Sequence, residues 1–167
     1  PGFINTHCHL ELSYLKGAIE EKTLLTGFIN DIVSIRENYS EAERIKAIEE
    51  ADKEMMNNGI VAVGDISNGN STFKLKQKSN IHYHTFIEVF GTNTSVAQKT
   101  IDNALELKKE HPTKHVSIVP HAPYSMSPTL VKKLTELKEE TITIHNQETA
   151  SENEMFEKGE GDLLKIM

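Results

Sequence analysis

The feature that most constrains the fold of this chain is an alternation of short apolar runs with longer amphipathic stretches. Five apolar runs have the length and composition of strands, and they lie near residues 3–6, 60–66, 81–90, 116–119 and 141–145. Most of their positions are apolar, as expected for strands that are covered on both faces. Strands that alternate with helices are joined by crossovers and run parallel. The sequence therefore predicts an α/β fold built on a parallel sheet.

Helical periodicity fills the intervals between the candidate strands. Ser40 and Glu43 have the spacing of a capping box, and we expect a helix to begin there. Ser151 and Glu154 repeat that spacing and predict a second capped helix near the end of the chain. Apolar residues at helical spacing between 24 and 35 indicate one more helix.

Charge and cysteine content exclude several classes of protein. The formal net charge of the 167 residues is −7 and no cluster of basic residues stands out, which argues against nucleic-acid binding. The longest apolar runs are too short to span a bilayer. The single cysteine, Cys8, excludes an internal disulfide and fits a reducing compartment. We therefore expect a cytoplasmic protein that binds neither nucleic acid nor membranes.

Polar side chains suited to metal binding and proton transfer follow the candidate strands. In a parallel α/β barrel the active site lies at the carboxyl ends of the strands. These ends carry His7, His9, Asp65, Glu88, His121, His145 and Glu148. His7 and His9 point to the same side because side chains alternate along a strand, and two imidazoles on one face form half of a metal site. His145 and Glu148 are the candidates for a third ligand and an acid–base residue.

Other histidines carry weaker signals. His82 and His84 repeat the His-x-His spacing, but they lie at the start of a candidate strand, which favours a structural role. His121 lies between Pro120 and Pro123, which restrict its backbone. Such a histidine is either aimed at a ligand or simply part of a turn.

The remaining candidates are expected to have supporting roles. Asp65 and Glu88 are more typical of structural or orienting residues than of catalytic ones. Glu11 and Tyr124 could line a substrate pocket or belong to ordinary loops. Cys8 alternates with the two histidines and is expected to pack on the opposite face.

Three motifs resemble one known family. They are Pro-Gly-Phe-Ile-Asn-Thr-His-Cys-His-Leu at residues 1–10, Val-Pro-His-Ala-Pro-Tyr-Ser at 119–125 and Ile-His-Asn-Gln-Glu-Thr at 144–149. In this order and spacing they resemble the metal-dependent amidohydrolase superfamily, in the branch of the nucleobase and nucleoside deaminases and the triazine chlorohydrolases. The resemblance covers essentially the whole chain.

The resemblance implies a set of site residues. It places a single Zn²⁺ or Fe²⁺ on His7, His9 and His145, proton transfer on Glu148 and substrate contact on His121. Family members that bridge two metals use a carboxylated lysine at the end of strand four. That strand here ends in Val-Pro-His without a lysine, which favours a mononuclear site.

The resemblance also implies a (β/α) barrel of the TIM type. Residues 1–167 would form a single partial domain with about strands one to five of eight. Family members also carry a histidine on strand six and an aspartate on strand eight, and five strands leave no place for either. We therefore expect a fragment that is inactive by itself, with open edges that favour homo-oligomers.

The implied activity is hydrolysis of a small molecule by metal-activated water. The first hypothesis is an aminohydrolase of purine-like or nucleoside-like substrates. The alternatives are an amidase or chlorohydrolase of small ring compounds, and a non-catalytic, truncated metal-binding module.

Overall fold

The computed structural model describes all residues, 1–167. A four-stranded sheet in the order β1–β2–β3–β4 forms its centre, with every neighbouring pair parallel. The strands are β1 (Phe3–Cys8), β2 (Ile60–Ser67), β3 (His82–Val89) and β4 (Val116–Pro120). The helices are α1 (Leu24–Ile35), α2 (Glu41–Asn57), α3 (Phe73–Lys76), α4 (Ala97–Glu110), α5 (Pro128–Glu136), α6 (Ala150–Lys158) and α7 (Asp162–Ile166). None of them is long and apolar enough to cross a membrane.

The apolar core covers the two faces of the sheet separately. The largest cluster packs α4 and α5 against β3 and β4, and Ile118 and Leu130 at its centre are fully buried. A second cluster packs Ile48 of α2 against β2 and β3. Phe86 precedes Ile87 of the first cluster in β3, points to the opposite face and belongs to a third, smaller cluster. Both faces of the sheet are therefore apolar, which confirms the α/β class predicted from the near-continuous apolar runs.

The predicted fifth strand is wrong. Residues 141–145 belong to no strand or helix, and Ile142 and Ile144 are 66% and 44% exposed. One backbone bond joins the segment to the end of β4, from His145 N–H to the His121 carbonyl at 2.8 Å. Apolar composition alone does not make a strand, because a strand also needs a partner that offers a ladder of hydrogen bonds.

One of the two predicted capping boxes forms. The Ser40 N–H donates to Glu43 Oε2 at 2.8 Å and the Glu43 N–H donates to Ser40 Oγ at 3.4 Å, at the start of α2. The second prediction is wrong, because α6 begins at Ala150 with Thr149 before it and has no side-chain cap. Ser151 therefore lies inside the first turn of α6.

These two serines give a matched test of the helix start. We expect Ser40→Ala to lower the free energy of unfolding by about 1 kcal/mol, since the cap satisfies a helix N–H that alanine leaves unpaired. We expect Ser151→Ala to change it clearly less. Urea unfolding of the two variants measures the difference, and equal losses would contradict the assignment of the caps.

Candidate metal centre

Three histidines converge at the carboxyl ends of the strands. His7 lies in β1, His9 directly follows β1, and His145 lies in the connection between α5 and α6. Their ring centroids are 5.1 Å apart for His7 and His9, 4.7 Å for His7 and His145, and 5.2 Å for His9 and His145. One ring nitrogen from each lies within 4.8 Å of the other two. The structure thus brings together the three residues that the sequence predicts as ligands.

The geometry of the ring nitrogens fits a single metal ion. Nε2 of His7 and Nε2 of His9 are 3.2 Å apart, and an ion bound tetrahedrally at 2.0–2.1 Å from each requires a separation of about 3.3 Å. Nε2 of His145 is buried and has no hydrogen-bond partner. Burial lowers the pKa of His9 to about 4, so its ring is neutral at pH 7, the state in which imidazole binds metals.

A tight turn brings Glu148 back to His145. Gln147, the residue before Glu148, has a left-handed backbone with φ of 56°, and Glu148 Oε1 lies 3.0 Å from His145 Nδ1. A carboxylate only accepts hydrogen bonds, so Nδ1 carries the proton and the lone pair of the neutral ring is on Nε2. Glu148 therefore fixes the tautomer that leaves Nε2 of His145 free to bind a metal.

Glu88 lies next to the same nitrogen. Its Oε1 is 3.4 Å from His145 Nε2, and its Oε2 accepts a hydrogen bond from Asn68 Nδ2 at 3.2 Å. Glu88, His121 and His145 also form a group whose ligand atoms lie within 4.8 Å of one another. The nearby carboxylate of Glu88, and then that of Glu148, raises the pKa of His145, while burial lowers it. Oε1 of Glu88 and the unprotonated Nε2 of His145 are both acceptors, and two acceptors 3.4 Å apart favour a cation or a proton bound between them.

His121 contributes a ring nitrogen that can accept a hydrogen bond in the region of the three histidines. The Ser125 hydroxyl donates to the Ala122 carbonyl at 3.0 Å, so its oxygen accepts the 2.7 Å bond from Nδ1 of His121. Burial lowers the pKa of His121, and the lone pair of the neutral ring is then on Nε2. The ring centroids of His121 and His145 are 5.2 Å apart. His121 therefore lies beside the three histidines.

Asn68 was missed by the sequence reasoning, and it organises the rim of the site. Its backbone N–H and its Nδ2 both donate to Glu11 Oε1, at 3.0 and 3.1 Å, while Nδ2 also reaches Glu88. Asn68 directly follows β2. The sequence signal that could have identified Asn68 is its side-chain amide directly after a candidate strand, where site residues were expected.

The second His-x-His pair lies at the other end of the sheet. The ring of His82 packs against His115, with centroids 4.5 Å apart, and His84 Nε2 is 3.0 Å from Ser117 Oγ. No third histidine, cysteine or carboxylate comes close enough to complete a metal site there. The structure separates the two pairs as strand polarity predicts.

A cavity of about 740 Å³ opens above the three histidines. Its polar side includes the histidines, Glu88, His121 and Glu148, and Tyr124 also lines it. Its apolar side includes one face of α1, made by Leu25, Phe28, Ile29 and Ile32. The sequence predicted α1 as a helix but gave no sign that this face lines a cavity, because a cavity wall and a core contact require the same apolar spacing.

Cys8, between the two histidines in sequence, is turned away from them. Its side chain packs with the cluster around Ile48 and Val63, and burial raises the pKa of its thiol from 9.0 to about 12. Since the thiolate is the reactive form, we expect iodoacetamide at pH 8 to alkylate Cys8 at least about tenfold more slowly in the folded chain than in urea. Equal rates in the two states would contradict this placement.

A parallel sheet with candidate functional side chains at the carboxyl ends of its strands is typical of enzymes with a (β/α) barrel fold. The model of the Amidohydrolase family matches residues 1–165 of the chain. The chain belongs to the amidohydrolase family.

Two curated relatives that the chain matches are deaminases. The chain is 25% identical to an aminodeoxyfutalosine deaminase of Nitratiruptor sp., over 99% of this chain and 43% of that protein. It is 26% identical to an adenosine deaminase of Helicobacter pylori, over 96% of this chain and 40% of that protein. The chain thus spans about two fifths of the length of the curated relatives it matches.

Solved structures show the same fold. An aminofutalosine deaminase of Helicobacter pylori in complex with methylthio-coformycin aligns with a TM-score of 0.79 at 23% identity, over 97% of this chain and 41% of that one. An adenosine deaminase of Xanthomonas campestris with bound zinc aligns with a TM-score of 0.69 at 16% identity, over 99% of this chain and 41% of that one. These likenesses confirm the predicted partial barrel fold.

Proposed function

We propose that the full-length protein is a mononuclear metal-dependent aminohydrolase that acts on purine-like or nucleoside-like substrates. The observation that carries the proposal is the convergence of three imidazoles beside Glu148 in one cavity. The deaminase activities of the relatives support the reaction type. A cavity of about 740 Å³ is within the range of small-molecule sites.

We assign the metal to His7, His9 and His145, as one Zn²⁺ or Fe²⁺. The 3.2 Å between the first two Nε2 atoms and the unpartnered Nε2 of the third support this ligand set. Three imidazoles suit both metals, so the donor set does not choose between them. When bound, such an ion lowers the pKa of a water molecule and supplies hydroxide near neutral pH.

We assign proton transfer to Glu148. Its carboxylate is 39% exposed and faces the cavity, so it can take a proton at one oxygen while the other holds His145 Nδ1. It would deliver that proton to the ring nitrogen or to the leaving amine, as a general acid–base. His121, with an acceptor nitrogen in the same cavity, would receive an N–H of the substrate and orient its ring.

The reaction type is tested by measuring product release. We expect the full-length, zinc- or iron-loaded protein to release ammonia from aminopurine nucleosides and not from unrelated amides. Parallel assays measure chloride from chlorotriazines and carboxylate from cyclic amides. Release of chloride or carboxylate without ammonia would replace the aminohydrolase with the alternative hydrolase.

A metal-binding module without turnover is the second candidate, and the exposed side of β1 favours it for the 167-residue chain. Strands β1 and β4 are the two edges of the sheet, and Phe3 and Ile4 are 72% and 68% exposed. Open strand edges favour pairing with other chains. We propose that this chain alone binds metal, forms homo-oligomers and turns over little. A monodisperse monomer with deaminase turnover would contradict this.

The free thiol of Cys8 is compatible with the reducing cytoplasm, where we propose that the protein acts. Measuring the localisation of a tagged full-length protein tests this.

A further inference from the structure

A buried ion pair is attached to the backbone beside the histidine pair, and the proposed chemistry gives it no role. Nζ of Lys76 lies 2.5 Å from Oδ2 of Asp65, and their side chains are 2% and 0% exposed. The other carboxylate oxygen, Oδ1, accepts a 2.8 Å hydrogen bond from the backbone N–H of Leu10. Leu10 directly follows His9, so the ion pair reaches the segment that carries two candidate ligands.

The sheet does not fix the part of this segment that follows Cys8. β1 ends at Cys8, whose partner on β2 is Asp65, and the backbone of His9 then turns with φ −115° and ψ 74° into a short 3₁₀ helix, Leu10–Leu15. The bond from Leu10 to Asp65 is therefore a tertiary contact at the point where the chain leaves the sheet. It sets the direction in which the His9 side chain leaves the backbone.

Lys76 holds the aspartate in the orientation that this bond requires. A carboxylate with a single bond to a backbone N–H can rotate, whereas an ammonium group on Oδ2 keeps Oδ1 directed at Leu10. The ammonium is itself fixed by Thr85 Oγ1 at 2.8 Å and lies 5.6 Å from the ring centroid of Tyr83. The ion pair therefore contacts β3 through Thr85 and Tyr83, and it belongs to β2 through Asp65.

Stability alone does not explain a buried lysine and aspartate. Removing two charges from water is costly, and apolar replacements of the same shape often leave a protein equally or more stable. We propose that Asp65 and Lys76 are positioning residues for the metal centre, which fix the backbone at Leu10 and thereby the spacing between the imidazoles of His7 and His9. This inference rests on the proposed function.

Zinc affinity of the 167-residue chain, measured by competition with a chromophoric chelator, tests the inference. Lys76→Met removes the cation, and the double variant Asp65→Leu/Lys76→Met replaces both groups with apolar side chains of similar shape. Lys74→Met, an exposed lysine of the same helix, is the control. Thermal unfolding of each metal-free variant and the visible absorption spectrum of its Co²⁺ form are recorded alongside.

We expect both Lys76 variants to bind zinc about 10- to 100-fold more weakly, as is typical when the groups that orient metal ligands are removed, and to show a changed Co²⁺ spectrum. The control should match the unsubstituted chain. If Lys76→Met does not fold, the zinc affinity and Co²⁺ spectrum of the double variant test the inference instead. A folded double variant with unchanged zinc affinity and Co²⁺ spectrum overturns the inference alone. An unsubstituted chain that binds no zinc overturns the assignment of the metal to His7, His9 and His145 as well.

Discussion

Replacing His145 with alanine is expected to lower zinc affinity at least about 100-fold. Zinc bound by a small set of protein ligands is stabilised by about 10 kcal/mol or more, and losing one of three imidazoles removes about 3 kcal/mol, which is roughly two decades in affinity. The same loss is expected for His7→Ala, because its Nε2 lies 3.2 Å from that of His9. Chelator competition on the metal-free chain measures these affinities.

The second His-x-His pair supplies the matched control. His82→Ala and His84→Ala remove histidines with identical sequence spacing at the opposite end of the sheet, and both should leave zinc affinity unchanged. If His82→Ala weakened binding as much as His145→Ala, the zinc would not be held by the three converging histidines.

Replacing Glu148 with glutamine is expected to reduce kcat of the full-length protein by about 10²- to 10⁴-fold, the usual contribution of a general acid–base. Glutamine keeps an oxygen that can accept from Nδ1 of His145 but cannot take up and release the proton. Zinc content should therefore remain near that of the unsubstituted protein. Steady-state ammonia release together with metal analysis measures both quantities.

Glu154→Gln is the control for this variant, because Glu154 is an exposed carboxylate of α6. Its kcat should not change. A Glu148→Gln protein with normal turnover would remove Glu148 from the chemistry. Loss of zinc in that variant would instead make Glu148 a residue that only orients His145.

Most of the fold followed from local patterns. The four strands and the capped start of α2 were predictable because apolar runs, crossovers and the Ser40–Glu43 pair act over a few residues or one unit of the sheet. The prediction of a fifth strand was wrong for a non-local reason, since residues 141–145 form only one backbone hydrogen bond to the end of β4 and no ladder. The prediction that Ser151 caps a helix was wrong because Thr149 is the residue that precedes α6.

The site was partly predictable. The spacing of His7 and His9 and their place at a strand end indicated ligands, and strand polarity set aside His82 and His84. The approach of His145 to that pair is a tertiary property; its place after a candidate strand made it a candidate ligand, and the family resemblance pointed to the same residue. The contribution of Asn68 to the rim and the apolar wall formed by α1 depend on how elements pack around the cavity, which periodicity does not encode.

X-ray absorption at the zinc edge tests the central claim most directly. The zinc-loaded 167-residue chain is predicted to show one ion with imidazole nitrogens at about 2.0–2.1 Å and no sulfur, with the imidazole signal reduced in His7→Ala and His145→Ala. A sulfur neighbour at about 2.3 Å, or a spectrum unchanged by both substitutions, would contradict the account.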